Sequence, residues 1–248
     1  MSKNFEVRRE VLLPGTPEQV FAAVTRETAA WMFPVEQDAG VGGLGPDDPK
    51  VEVWSPPEHV SIRVEGPEGF FNALDYLIEG RDGGTAQLRY VHSGVLATDD
   101  WEQQYDGIGA HTDFYLHSLG EYVRHFAGRP VRYLAVAGPA ASARPGSIDV
   151  VKSALGLGPD SRVGDEVSVT VPGLDRIETV LDYLSPQFVG LRGDAELYRF
   201  YGRDAFGGTV DAAHHLFDEK ADPAQETAAW QAWLDGVFAA DATGPRPR

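Results

Sequence analysis

Apolar and polar positions alternate along this chain at two spacings. From Phe5 to Leu13, β-branched, aromatic and aliphatic residues predict a strand that Pro14-Gly15 ends. Thr16 suits a helix N-cap, with Pro17 in the first turn and Gln19 completing a capping box. Val20, Phe21 and Val24 follow at helical spacing, so a short amphipathic helix is expected to about Arg26. A second short turn or helix carries Trp31 and Phe33 before Pro34 stops it. Gly40 to Pro49 reads as a loop, followed by short strands at Lys50–Trp54 and His59–Glu65 around Pro56-Pro57. Two longer strands, Phe70–Glu79 and Thr85–Ser93, flank the hairpin turn Arg81-Asp-Gly-Gly84. Alternation sets Asn72, Leu74, Tyr76 and Ile78 on one face of the first, and Leu88, Tyr90 and His92 together on the second. After a polar connection from Ala97 to Asp106, Thr112, Tyr115, Leu119, Tyr122 and Phe126 recur at helical intervals. Gly128 and Pro130 end that long helix.

A strand, a small helix, antiparallel strands and a covering helix make one complete α+β unit. The second half repeats the plan. Strands are expected at Val131–Ala137, Glu166–Val171, Glu178–Tyr183, Phe188–Leu191, Glu196–Tyr201 and Val210–Phe217. Ser147 is placed as the cap of a helix with Ile148, Val151 and Leu155 on its apolar side, and Glu226–Phe238 forms a closing helix carrying Trp230 and Trp233. Two local echoes support duplication. Ser55-Pro-Pro-Glu-His-Val-Ser-Ile-Arg63 parallels Ser185-Pro-Gln-Phe-Val-Gly-Leu-Arg192, and Gly80-Arg-Asp-Gly-Gly-Thr85 parallels Gly202-Arg-Asp-Ala-Phe-Gly-Gly-Thr209. The expected organisation is a first domain at 1–128, a second and more divergent one at 129–240, and a flexible tail at 241–248. The alternative is one larger sheet with chance echoes.

Composition narrows the function. The 248 residues carry 21 Lys and Arg against 38 Asp and Glu, a formal charge of −17, which repels a phosphate backbone and argues against nucleic-acid binding. Zero cysteines remove disulfides, thiolate catalysis and Cys-based zinc sites. No apolar run suggests a signal peptide or membrane span, so a cytoplasmic protein without membrane contact is expected. Gly40-Val-Gly-Gly-Leu-Gly45 lacks the lysine of a phosphate cradle, and no Gly-x-Ser-x-Gly nucleophile motif is present. His111, His117 and His125 do not form one tight cluster on their helix, and the adjacent His214 and His215 point to opposite faces of a strand. Neither a metal site nor a cofactor is expected.

The segment Pro14-Gly-Thr-Pro-Glu-Gln-Val-Phe-Ala-Ala-Val24, followed by Trp31-Met-Phe33, resembles the start of domains in the activator of Hsp90 ATPase homologue family. Thr85-Ala-Gln-Leu-Arg-Tyr-Val-His-Ser-Gly94 resembles that family's penultimate segment, and His111 to Val123 its closing helix. The family belongs to the START-like, or SRPBCC, superfamily. The resemblance therefore implies a helix-grip α+β fold, a curved antiparallel sheet wrapped around a long C-terminal helix, often with a cavity between them. It covers residues 5–127 most fully.

In such a fold Tyr76, Tyr90 and His92 from strands, and Tyr115, Leu119 and Tyr122 from the long helix, line a chamber that Trp31 and Phe33 cover. Aromatic walls with a few hydroxyls suit a small apolar or amphipathic ligand. The same residues would equally serve as a filled core. The leading expectation is non-enzymatic binding, with no catalytic residue assigned. The alternatives are a polyketide-cyclase-like or dehydratase-like enzyme moving protons through Tyr and His, and a chaperone-linked module with a protein partner. Homodimerisation is compatible with each.

Overall fold

The computed structural model describes residues 2–34, 44–97 and 101–243. The chain divides into two compact units, Met1–Arg129 and Pro130–Arg248. Each is a helix-grip-like α+β arrangement, an antiparallel sheet paired with a long closing helix.

The first unit runs β1 (Ser2–Leu13), α1 (Pro17–Thr25), β2 (Val51–Ser55), β3 (His59–Glu65), β4 (Phe71–Arg81), β5 (Thr85–Ala97) and α2 (Trp101–His125). Its sheet has the order β1-β5-β4-β3-β2, so the first strand lies beside the last and the rest form a meander. The start of α1 follows from sequence chemistry: Gln19 N–H donates to Thr16 Oγ1, and the Gln19 side chain accepts from Thr16 N–H at 2.9 Å. Val20, Phe21 and Val24 are buried on its inner side. Trp31 is buried as well, its indole N–H donating to Ala23 carbonyl at 2.8 Å and tying the following turn to α1. In β4 the alternation is direct, with Tyr76 and Ile78 buried and Leu77 and Glu79 exposed.

The largest difference from the sequence reading is at α2. A connection was expected to Asp106, but the helix begins at Trp101 and runs 25 residues. Gly107 and Gly109 lie within it, each a modest local cost that continuous packing along β1 and β5 offsets. Residues 40–43 of the expected glycine-rich loop, and 244–248 of the expected tail, lie outside the described residues. The first three tail positions continue the last helix.

The second unit runs β6 (Arg132–Ala137), α3 (Ser147–Ala154), β7 (Glu166–Val169), β8 (Ile177–Leu184), β9 (Phe188–Arg192), β10 (Glu196–Gly202), β11 (Val210–Leu216) and α4 (Pro223–Thr243). Its sheet order is β6-β11-β10-β9-β8-β7, the wiring of the first unit with one more strand in the meander. Trp230, Trp233, Leu234 and Phe238 of α4 pack with Leu134, Val136, Tyr198 and Phe200 into one core. Counted back from the last strand, the Ser55 and Ser185 turns occupy equivalent places, as do the turns after Gly80 and Gly202.

The start of α3 departs from expectation. Ser147 is its first helical residue, and Gly146 takes the cap position with φ 87°. Its orphan amide is met from a distance in sequence: Ser147 N–H donates to Asp204 Oδ2 at 2.9 Å, and Asp204 is buried. A tertiary carboxylate thus does what a local hydroxyl was expected to do.

Candidate functional site

The register of β4 against β5 sets Tyr76 opposite Tyr90 and Leu74 opposite His92. The Tyr76 and Tyr90 rings lie 5.2 Å apart, and His92 is 6.4 Å from Tyr90. Phe5 of β1 meets His92 edge-on at 5.0 Å. This approach requires Gly94, since a Cβ there would stand 2.7 Å from the Phe5 ring. Asn72 completes the group: its Oδ1 lies 2.6 Å from His92 Nε2, which assigns the ring proton to Nε2 and leaves Nδ1 as an acceptor.

From α2, Thr112 brings its hydroxyl to Tyr90 and is itself buried. Tyr115 is half-buried on the same side, its ring 6.0 Å from Phe33 and 6.1 Å from His111. Phe33 is exposed. Aromatic contacts therefore lead from the exposed Phe33 through Tyr115 to His111.

The remaining predicted residues, Trp31, Leu119 and Tyr122, are all buried. Leu119 is wholly buried. Tyr122 donates to Glu27 Oε2 at 2.8 Å and accepts from Gly128 N–H at 3.0 Å, so its hydroxyl ties the helix end to the turn after α1. Trp31 is held by Ala23 as described. Asn72, Thr112 and Phe5 were not singled out as site residues from sequence. Asn72 and Thr112 had carried a signal, lying on the same strand face as Tyr76 and the same helical stripe as Tyr115.

The cluster is electrically neutral. Burial pushes His92 down from 6.5 to about 4, so it is uncharged at neutral pH. Burial raises both Tyr76 and Tyr90, with the Thr112 hydroxyl opposing the shift at Tyr90. These groups can exchange hydrogen bonds with an uncharged ligand, but they form a weak base beside weak acids. A cleft of about 400 Å³ also opens between the end of β1 and the flank of α2, lined by Leu12, Leu116, Gly120 and Glu121 among others. Tyr76, Tyr90 and His92 are not among its lining residues.

Elsewhere, His125 pairs with Glu121 across one helical turn at 3.7 Å. His214 faces the ring of Trp230 at 4.3 Å, whereas His215 packs on Tyr133 at 5.4 Å, the opposite facing that a strand imposes. No described helix is long and apolar enough to cross a membrane.

Sheet, wiring and covering helix define this chain as a helix-grip-like α+β protein. No family model matches it, and no curated protein sequence does. Among solved structures it is similar to DynU16, from the dynemicin biosynthetic locus, at 16% identity and TM-score 0.37 over 96% of this chain and 98% of that one. It is also similar to Aha1 from Colwellia psychrerythraea, solved as a dimer, at 18% identity and TM-score 0.37 over 48% of this chain and 96% of that one. CalU16 from Micromonospora echinospora matches at 14% identity and TM-score 0.34 over 50% and 86%. Likeness at these levels assigns neither a ligand nor a reaction.

Proposed function

We propose that the chain is a non-enzymatic binding protein, a tandem of two START-like domains (1–128 and 129–240) related to the activator of Hsp90 ATPase homologue family. Its first domain holds a small, uncharged, apolar or amphipathic molecule between sheet and long helix. Tyr76, Tyr90 and His92 form the polar end of the site, and Tyr115 with Phe33 form its rim. Trp31, Leu119 and Tyr122 support that wall from behind.

The observation that carries this reading is the neutral cluster itself. Three aromatic side chains with hydrogen-bonding capacity share one inner face, and none carries charge near pH 7. Apolar surface and uncharged donors and acceptors favour a ligand of the same character. Proton transfer has less support, because a histidine of such low basicity is a poor general base at neutral pH.

The test is native mass spectrometry of the purified chain, followed by fluorescence titration with the neutral probe N-phenyl-1-naphthylamine. Saturable one-to-one binding that weakens in His92→Ala and Tyr90→Phe is expected. Binding absent, or unchanged in both variants, overturns the proposal. The same spectra report whether the chain is monomeric or dimeric. Turnover of a recovered ligand, lost with His92, would instead establish the enzyme reading.

A further inference from the structure

The second unit contains a polar cleft of about 680 Å³ where β8 and β10 meet the first turn of α4. Its walls carry six carboxylates, from Asp175, Glu178, Asp194, Glu196, Asp222 and Glu226, against two cations, Arg176 and Lys220. Arg176 is already committed to Glu178 at 2.6 Å. Asp222 caps α4, accepting from Ala224 N–H at 2.9 Å. The balance of the walls is strongly negative, which excludes an anion and favours a cation.

Charge alone would not make a site. Tyr198 supplies the independent observation. This residue lines the cleft yet is only 4% exposed, wedged by Trp230 at 5.3 Å and His214 at 5.0 Å. Its ionisation is set by burial and by the Glu196 and Glu226 carboxylates, and among the described residues its hydroxyl has no hydrogen-bond partner. Glu226 Oε2 is buried with no hydrogen bond of normal geometry, and so is the Trp230 indole nitrogen. Burial raises that carboxyl above its ordinary range, with the Trp230 indole N–H acting against the rise and Glu196 adding to it. The unsatisfied Glu226 oxygen represents a folding cost that a ligand donor would relieve, and the Tyr198 hydroxyl offers a second acceptor on the same wall.

The kind of cation follows from spacing. Among the described residues, no three carboxylates of this cleft bring ligand atoms within 4.8 Å of one another, as a bound metal ion would need. Spread carboxylates along an elongated wall match separated positive charges. We propose that this cleft binds an organic polyamine, with Glu226 and Glu196 holding its ammonium groups and the Tyr198 hydroxyl oxygen accepting a hydrogen bond from one of them. The site is independent of the neutral cluster in the first unit.

The experiment is isothermal titration of the full chain with spermidine in about 0.15 M salt, where diffuse attraction to an acidic surface is screened. One saturable site is expected. Glu226→Gln should weaken it by about tenfold or more, and Tyr198→Phe by about three- to tenfold, with the Tyr198→Phe unfolding temperature no lower than that of the parent. Glu52→Gln, which removes an exposed carboxylate of the first unit, should bind as the parent does. Equal concentrations of magnesium should not displace spermidine. Absent saturation, equal weakening by Glu52→Gln and Glu226→Gln, or displacement by magnesium each overturns the proposal. If Glu226→Gln does not fold, the Tyr198→Phe comparison decides alone.

Discussion

His92 and Asn72 are joined across neighbouring strands by a 2.6 Å contact between Nε2 and Oδ1. The amide oxygen fixes the tautomer without supplying charge, so nothing in that contact opposes the loss of basicity that burial imposes. Titration of the imidazole by NMR should place its midpoint near pH 4. Asn72→Asp puts a carboxylate in the same position and should raise that midpoint by about one to three units. A midpoint unmoved by the substitution would contradict the geometry.

Stability should fall in acid for a stated reason. His92 is lowered from 6.5 to about 4 and His214, wholly buried, from 6.5 to about 3, chiefly by desolvation. Between the folded and unfolded values the unfolded chain binds more protons, so stability rises with pH through that window. It is complete above about pH 6.5 and is lost as pH falls toward the folded values. His92 alone accounts for up to about 3 kcal/mol. Urea unfolding at a series of pH values measures the slope, and His214→Phe should flatten it below pH 6.5.

Arg199 and Asp182 form a bidentate pair at 3.0 and 2.8 Å, with both side chains buried. Gly190 gives them room, because a Cβ there would stand 2.6 Å from Asp182 Oδ1 and 2.8 Å from Arg199 Nη1. Asp182→Ala leaves a guanidinium buried without its carboxylate and should cost about 3–5 kcal/mol. The double replacement Asp182→Leu with Arg199→Met should recover most of that loss. Denaturant midpoints of the three variants separate the alternatives.

Tyr122 and Tyr90 should behave oppositely. Tyr122→Phe strands Glu27 and the Gly128 amide and should destabilise by about 1–3 kcal/mol, with no change in affinity for the neutral probe. Tyr90→Phe removes a hydroxyl of the proposed binding wall, and should weaken probe binding more than it lowers the unfolding temperature. Paired thermal and fluorescence measurements distinguish support from contact.

Trp230→Ala should cost about 3–5 kcal/mol, in the range for a large core aromatic. Its ring meets Tyr198, Phe200, His214 and Trp233, and the side chain is fully buried. Chemical unfolding followed by circular dichroism is the measurement.

Particular elements explain what could be read in advance. Strands β4 and β5 were legible because period-two alternation survives any register, and it already grouped Tyr76 with Ile78 and Tyr90 with His92. The start of α1 was legible because its cap is a four-residue reaction of Thr16 with Gln19. The first turns of α2 were obscured by Gly107 and Gly109, whose poor local propensity is outweighed by packing that sequence does not display. The cap of α3 was missed because its acceptor, Asp204, lies 57 positions away. Tyr198 and Glu226 showed no shared signal, since a strand and a helix far apart in sequence supply them.

Amino-acid order alone determined where most strands and helices lie, which side chains share a face, and that the whole is acidic and cysteine-free. These properties depend on local sterics, short-range hydrogen bonding and hydrophobic period. Only the folded arrangement decided which faces meet. It left His92 uncharged, consumed the Tyr122 hydroxyl in a turn, and closed Tyr198 into a wall of carboxylates. Desolvation and distant hydrogen bonds act through space, and the linear spacing of residues carries no measure of either.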